Sequence, residues 1–524
     1  MHFTAHDELQ LLALIAALAA MLVVAAVGRL PAPLLFVAGG LVLGFVPGLP
    51  HFQLAPDLVL VAILPPLLYS SAFFTGLRDL RANLRPISLL AIGLVATTTC
   101  TVAVVAHAAV SGLSWGAAFT LGAIVSPTDA LAATEVIRRV VVPRRIVAII
   151  EGESLVNDGF ALVLYKTAVA AAVAGTFSLW SASWHLVVNV IGGIAVGLGV
   201  GYVVRQVRRR IDDAPTEVSL ALLSGYLAYL PANAIGVSGV LAAVTIGVYM
   251  GWYTPQLTNG ITRLSGNAFW EIVAFFVNAL LFALVGLQLH GIVDRLGGRA
   301  TSSLLADAIL VCVAVIATRI VWVPVFTYLP RFLFRRIRER DPYPPWQFPV
   351  LISWAGIRGA VSLAAALALP TGLAGRDLIV FITFAVILVT LVGQGLTLPL
   401  LARALRAQDD GGAEREDAKA RIKAAEAALE RLEELAAEGW VREDTAERTR
   451  GLYRFRTNRF TARYHGVDDE GVEERSQQYQ RLRRELLEAE RQAVLRLRNQ
   501  GTITEEVMQR VQRDIDLEDL RLDV

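Results

Sequence analysis

The sequence predicts an all-α, polytopic membrane domain followed by a small helical cytosolic domain. Three observations carry that prediction. First, the chain has 524 residues, 55% of them hydrophobic and only 18% charged, whereas an ordinary soluble domain carries about 25% charged residues. Second, acids are sparse and Lys166 is the only lysine up to about residue 407, after which the chain turns to EREDAKARIKAAEAALERLEELAAEG and stays polar. Third, apolar runs of helix length recur through the first part, and arginines fill alternate gaps between them. The domains are therefore expected at 1–407 and 408–524. The net charge of +2 averages two unlike halves and points to no nucleic-acid partner. Cys100 and Cys312 lie in apolar runs without a C-x-x-C or Cys/His context, so neither predicts a metal or redox centre.

The spans are expected at 8–29, 33–50, 56–75, 86–112, 115–137, 147–174, 184–204, 217–234, 237–252, 268–290, 302–328, 346–370 and 376–402, thirteen in all. MHFTAHDE lacks the basic region of a signal peptide, so the first run reads as a retained helix. Arginines cluster at Arg78, Arg81 and Arg85, at Arg138, Arg139, Arg144 and Arg145, at Arg205 and 208–210, and at Arg331, Arg335, Arg336, Arg338 and Arg340. The intervening loops HFQLAP, SGLSW, GTFSLWSASW and PANAIG hold no basic residue but a histidine. The positive-inside rule then places the arginine loops and the polar tail in the cytoplasm and the N-terminus outside. Spans 1–6 and 8–13 form two halves of six, and an odd span between them gives the halves opposite orientation, as in inverted-repeat transporters.

The fifth helix of each half is interrupted. In the fifth span, AIVSPTDALAAT puts Pro127 at mid-membrane, which removes a donor and disfavours helix at Ser126. Thr128 and Asp129 follow, and both suit a helix start. A plain proline kink is the alternative, but the coincident aspartate favours a break lining protein or a watery cavity. In span 12, WAGIRGAVSL, Gly356 and Gly359 flank Arg358, an intramembrane arginine that requires an acidic partner. EGESLVNDGF supplies acids. Glu153 and Asn157 share one helical face, and Ser154 and Asp158 share a stripe about 100° away. The expected pairing is Glu153 with Arg358, leaving Ser154 and Asp158 to a cation. Glu151 reads as an end residue near Arg144 and Arg145, Glu135 as an end pair with Arg138 and Arg139, and Arg319 as a cap for carbonyls of a broken helix. Asn278 is a further candidate ligand on span 10.

A small hard cation such as Na⁺ takes several oxygen ligands. Asp158, Ser154, Thr128 and carbonyls freed near Thr128 can supply them. Burial makes a bare carboxylate charge costly, so a proton and a cation compete to neutralise it. That competition is itself a mechanism of exchange. It disfavours a pore, which needs no such competition, and the intramembrane acids disfavour a pure sensor with the tail as output.

These residues resemble the monovalent cation–proton antiporter superfamily, and within it the sodium/proton exchanger (NhaP-like) branch. LPPLL (64–68), SPTDALA (126–132), EGESLVNDG (151–159), NALLFALVG (278–286), TRIVWV (318–323) and WAGIRGAVSL (354–363) carry the resemblance, in order across 8–402. It implies a 13-helix fold of two inverted repeats in which broken helices 5 and 12 cross. It also implies a homodimer in the cell (inner) membrane, with a mobile core moving against a dimer-forming part. Asp158 becomes the ion- and proton-carrying acid, with Thr128, Asp129 and Ser154 in the binding site. Asn157 resembles the asparagine of the family's Asn-Asp pair, and Glu153 with Arg358 its structural pair. Asn-Asp resembles the electroneutral branch, which exchanges one cation for one proton. No cofactor is implied beyond the transported ions. Many relatives carry an acid near position 70; here Tyr69, Ser70 and Ser71 follow LPPLL, which bears on selectivity among Na⁺, Li⁺ and K⁺. K⁺/H⁺ exchange by the same mechanism is the nearest alternative.

The tail repeats helical periodicity, with a stop and restart expected at Gly501 and Thr502 or Thr504. It holds no glycine-rich phosphate loop, which disfavours a nucleotide-sensing domain.

Overall fold

A computed structural model describes residues 32–44, 58–110, 112–137, 142–174, 179–296, 300–370, 372–406, 412–465 and 471–522, with isolated positions between 12 and 24. The described residues are helical, with no strand among them. The chain divides into two compact units, Met1–Gln408 and Asp409–Val524.

In the first unit, besides the short helices Leu77–Ala82 and Arg335–Arg340, the helices are α1 (Ala32–Gly44), α2 (Leu64–Phe74), α3 (Leu84–Ala109), α4 (Trp115–Val125), α5 (Ala130–Ile137), α6 (Arg144–Ala174) and α7 (Leu179–Arg208). Then follow α8 (Ala214–Ala234), α9 (Gly239–Leu257), α10 (Gly260–Arg295), α11 (Thr301–Leu333), α12 (Gln347–Trp354), α13 (Ala360–Leu367) and α14 (Arg376–Ala404). The expected spans from the second onward each coincide with one of these helices or with a broken pair. The first lies largely outside the described residues, as do Arg138 and Arg139. The starts are capped from the sequence: Ser114, Asp213 and Ser238 side chains accept from Ala117, Thr216 and Leu241 N–H. Five helices, Leu84–Ala109, Trp184–Arg208, Gly260–Gln288, Thr301–Leu333 and Arg376–Ala404, are long and apolar enough to cross a membrane, and α1, α2 and α4 are shorter apolar helices.

Two apolar bodies organise this unit. The larger packs α3–α6 and α11–α14 around the two interruptions, with α1 and α10 against it. The smaller joins Tyr69 of α2 to α7, α8 and α9 and to Trp270 of α10. At the arginine-loop end of the smaller body, buried Arg208 bridges Glu217 of α8 (3.0 Å) and the Thr254 hydroxyl of α9 (3.1 Å). Alone, either charge would be costly there; paired, they fasten three helix ends. The face of α7 carrying Val187, Ile191, Leu198 and Tyr202 is exposed, as a lipid-facing helix requires.

The second unit comprises α15 (Gly412–Ala437), α16 (Glu443–His465), α17 (Val472–Asn499) and α18 (Glu505–Leu522). Its buried apolar residues are few: Ala418, Ala425, Ala446, Phe460, Leu487, Met508 and Ile515. Ion pairs supplement them. Arg450 of α16 forks onto Glu433 of α15 at 2.8 and 3.0 Å, and Arg491 of α17 reaches Asp516 and Asp519 of α18. The expected stop and restart is present. Gly501 adopts φ 69°, Thr502 N–H closes back on Leu497 C=O at 2.9 Å, and the Thr504 hydroxyl accepts from Val507 N–H.

Candidate functional site

The site lies where the two interrupted helices meet. Helix α4 ends at Val125 and α5 begins at Ala130; α12 ends at Trp354 and α13 begins at Ala360. The non-helical segments lock together through their backbones. Asp129 N–H donates to Ile357 C=O at 2.7 Å, and the Arg358 side chain donates through Nε to Val125 C=O at 3.1 Å. The approach is close enough to require a glycine: a Cβ on Gly359 would lie 2.0 Å from Asp129 Oδ2. Asp129 caps α5, its Oδ1 accepting from Ala132 N–H at 3.3 Å.

Helix α6 passes behind this crossing and presents EGESLVNDGF to it. The pairing expected from the sequence is corrected here. Glu153 bonds Arg319 of α11, not Arg358: Nη1 and Nη2 donate to its two carboxylate oxygens at 2.5 and 2.8 Å, with both side chains 1% exposed. Arg319 Nε also donates to Ile352 C=O at 3.1 Å. Arg358 instead holds carbonyls of both breaks, Val125 and Gly356, and its N–H donates to the Thr390 hydroxyl. Arg319 thus caps a carbonyl of the broken helix, as expected, and also takes the acid expected for Arg358. The reason is local. Arg358 sits inside its own helix break, where unpaired carbonyls are within reach, whereas Arg319 projects from an intact helix whose carbonyls are already used.

The expected cation ligands are partly committed to this scaffold. The Thr128 hydroxyl donates to Glu153 at 3.0 Å and accepts from the Asn157 amide at 2.9 Å. The Ser154 hydroxyl donates to Thr128 C=O at 3.0 Å and accepts from Ala130 N–H at 3.1 Å. Asn157 adds a long contact to the same carbonyl at 3.5 Å. The carbonyl freed at Thr128, expected to face a cation, therefore serves α6. Ser154 and Thr128 tie α6 to the break and keep only a spare lone pair each. On α6, the Asp158 carboxylate and the Asn157 side-chain oxygen stay uncommitted. Asp158 is 8% exposed, and its carboxylate makes neither a hydrogen bond nor an ion pair with the described residues. The Asn157 side-chain oxygen is buried without a partner.

Asp158, Asp129, Ser154 and Thr128 line a cavity of about 60 Å³, with Asn278, Ser71 and Ser362 on its other walls. A water needs at least about 10–15 Å³ of such space, so a cation with a few waters fits. Ser71, Asn278 and Phe282 also border a second cavity of about 850 Å³, which puts them at the junction of the two. The wide cavity is lined by Glu135, Glu151 and Glu271 and lies on the arginine-loop side of the crossing. Sequence reasoning read Glu151 as an end residue near Arg144 and Arg145. Arg144 bonds Asp79, Arg145 bonds Asp341, and Glu151 also borders the wide cavity. Asn278, expected as a possible ligand, sits at the junction. Ser70 turns back on Leu67 C=O and borders the wide cavity, and Ser71 is the α2 residue that lines both cavities.

Comparisons with known proteins agree with this architecture. The family described as sodium/hydrogen exchanger, transmembrane, matches residues 12–404. An uncharacterized Na⁺/H⁺ exchanger of Mycobacterium tuberculosis is 37% identical over 527 residues, covering 98% of this chain and 96% of its own. A sodium, potassium, lithium and rubidium/H⁺ antiporter of Bacillus pumilus is 32% identical over 390 residues, covering 71% of this chain and 58% of its own. The solved sodium proton antiporter of Methanocaldococcus jannaschii at pH 8 has the same fold at a TM-score of 0.60 and 19% identity, covering 76% of this chain and 99% of that one. The protein is a multi-pass membrane transporter rather than an enzyme, and the chain belongs to the transmembrane sodium/hydrogen exchanger family.

Proposed function

We propose that this protein is a secondary antiporter that exchanges Na⁺ for H⁺ by alternating access, with Asp158 as the shared carrier. The observation that carries the reading is the state of Asp158: buried, uncommitted, and on the wall of a cavity at the crossing of two broken helices. A charge so placed is stable only when neutralised. A proton or one monovalent cation does this equally, which makes the exchange one for one and electroneutral. Asp129, the spare lone pairs of Ser154 and Thr128, the free Asn157 oxygen and water complete the cation's shell.

The wide cavity gives Asp158 access from the arginine-loop side, and Glu135 and Glu271 on its wall favour cations along that path. That side is the cytoplasm by the positive-inside rule, in the cell (inner) membrane, with the N-terminus outside. Movement of the larger apolar body against the smaller would carry Asp158 to the other face. The smaller body would then supply the contacts of a homodimer.

The name of the Bacillus pumilus relative favours a second reading, in which K⁺ and Li⁺ are also carried. A proteoliposome assay with a pH-sensitive dye, comparing Na⁺, Li⁺ and K⁺ with and without an imposed potential, separates these readings. Na⁺-driven proton movement insensitive to potential is expected. No response to any of the three cations would overturn the proposal, and a potential-dependent rate would overturn its one-for-one stoichiometry.

A further inference from the structure

We propose that the arginine-loop end of the membrane unit holds the phosphodiester of an anionic phospholipid, at a site formed by Arg85, Arg145 and Arg331. These three guanidiniums converge on a single carboxylate. Asp341 bonds Arg331 at 2.5 Å and Arg145 at 2.8 Å, with Arg85 standing off at 3.7 Å. Arg85 Nη1 and Nη2 are both buried without a hydrogen-bond acceptor. Three cations against one acid is an uncompensated positive charge, and buried donors left unmade are costly.

The backbone adds to that field. Residues from the first turns of α3, α6 and α12 line the same cavity: Arg85 and Pro86, Arg145, and Phe348 and Pro349. None of the three helices has an acid in its first turn, and neither α3 nor α12 has a side-chain cap. The first turns of three helices thus border one cavity, where their dipoles add to the positive potential. The neighbouring acid Asp79 is bonded to Arg144 at 3.0 Å and does not offset the cluster. The cavity measures about 50 Å³, the room of a few waters and of one phosphate group.

The other walls decide between a lipid and a free ion. Leu89, Trp322, Phe326 and Phe348 make one side apolar, and Phe326 stacks on Trp322 at a centroid distance of 3.7 Å. Inorganic phosphate gains nothing from that wall. A lipid phosphate, at headgroup depth with its chains descending beside α3 and α11, uses both halves of the site. Basic pockets between helices on the cytoplasmic side are suited to such headgroups. The site shares no lining residue with the Asp158 cavity.

The test is thermal unfolding of the full-length protein in neutral detergent, with phosphatidylglycerol, phosphatidylcholine or inorganic phosphate added, and native mass spectrometry of lipid adducts. Phosphatidylglycerol should raise the melting temperature where phosphatidylcholine and inorganic phosphate do not. Arg85→Gln should weaken phosphatidylglycerol binding about tenfold, the loss of one charge-assisted contact. It should leave the melting temperature in neutral detergent nearly unchanged, because the Arg85 terminal nitrogens make no hydrogen bond and the long contact to Asp341 is offset by repulsion from Arg145 and Arg331. Arg85→Lys, which keeps the charge without the fork, should fall between. Arg209→Gln, at an exposed loop arginine, should behave as wild type. A phosphatidylglycerol response unaltered by Arg85→Gln, or the same drop with and without lipid, would overturn the site. An equal response to inorganic phosphate would overturn its assignment to lipid. If Arg85→Gln does not fold, Arg85→Lys and the adduct count on wild type decide the matter: no adduct selective for phosphatidylglycerol refutes the proposal.

Discussion

Glu153 and Arg319 form a two-pronged ion pair across α6 and α11, with both side chains 1% exposed. The pair neutralises one carboxylate of EGESLVNDGF and so leaves Asp158 as the acid there that a transported ion can neutralise. Removing one partner of such a pair strands a buried charge. Arg319→Ala should therefore destabilise the protein by about 3–5 kcal/mol, read as a lower melting temperature in detergent, and adding Glu153→Gln should recover part of the loss. No recovery in the double variant would refute the pairing.

Arg358 makes a contrasting prediction. Its substitution releases the Val125 and Gly356 carbonyls rather than an acid. Arg358→Ala should cost about 1–3 kcal/mol for each buried carbonyl left unpaired, and Glu153→Gln should not rescue it. Rescue would restore the pairing that sequence reasoning expected.

Asp158→Asn should abolish cation-induced proton movement in proteoliposomes while the protein remains monodisperse and its melting temperature unchanged or raised. The asparagine removes a buried charge that makes no internal bond. Retained exchange would show that another group carries the proton.

Gly359→Ala tests the contact of the two breaks. Its Cβ would stand 2.0 Å from Asp129 Oδ2, so the segments must separate. Overpacking of this kind costs about 1–3 kcal/mol, and exchange should fall with it. A variant with wild-type transport and melting would mean that the crossing tolerates separation.

Ser154→Ala distinguishes a tie from a ligand. The hydroxyl joins Thr128 C=O to Ala130 N–H. Its loss should lower the melting temperature even without Na⁺, by about 1–3 kcal/mol of unmade hydrogen bonds. A residue acting on the cation alone would change only the Na⁺ dependence.

In the second unit, the hydrogen bonds from Arg450 hold the Glu433 carboxyl below its ordinary 4.5. A depressed folded value means the pairing of α15 and α16 contributes stability above that ordinary value and loses it as the pH falls through the lower, folded one. Hydrogen exchange of peptides from 412–465 should accelerate in that acid range. Glu433→Gln should make exchange there less dependent on pH.

The sequence by itself determined the helical membrane architecture, the positions of the second and later spans, both interruptions and the cluster of polar residues facing them. These follow from local causes: apolar run length, proline and glycine chemistry, the arginine alternation and the spacing of side chains on α6. The stop at Gly501 was legible for the same reason. Tertiary structure alone decided how the polar groups pair. Glu153 had two intramembrane arginines within plausible reach, and sequence carries no distance between α6, α11 and the break of span 12. The choice fell to Arg319 because carbonyls freed by its own broken helix already occupied Arg358. The commitment of Ser154 and Thr128 to internal bonds, and the place of Glu151 on the wide cavity, were hidden likewise. A side chain's spare lone pairs depend on which neighbours the fold brings within about 3 Å, and that is set by packing rather than by spacing along the chain.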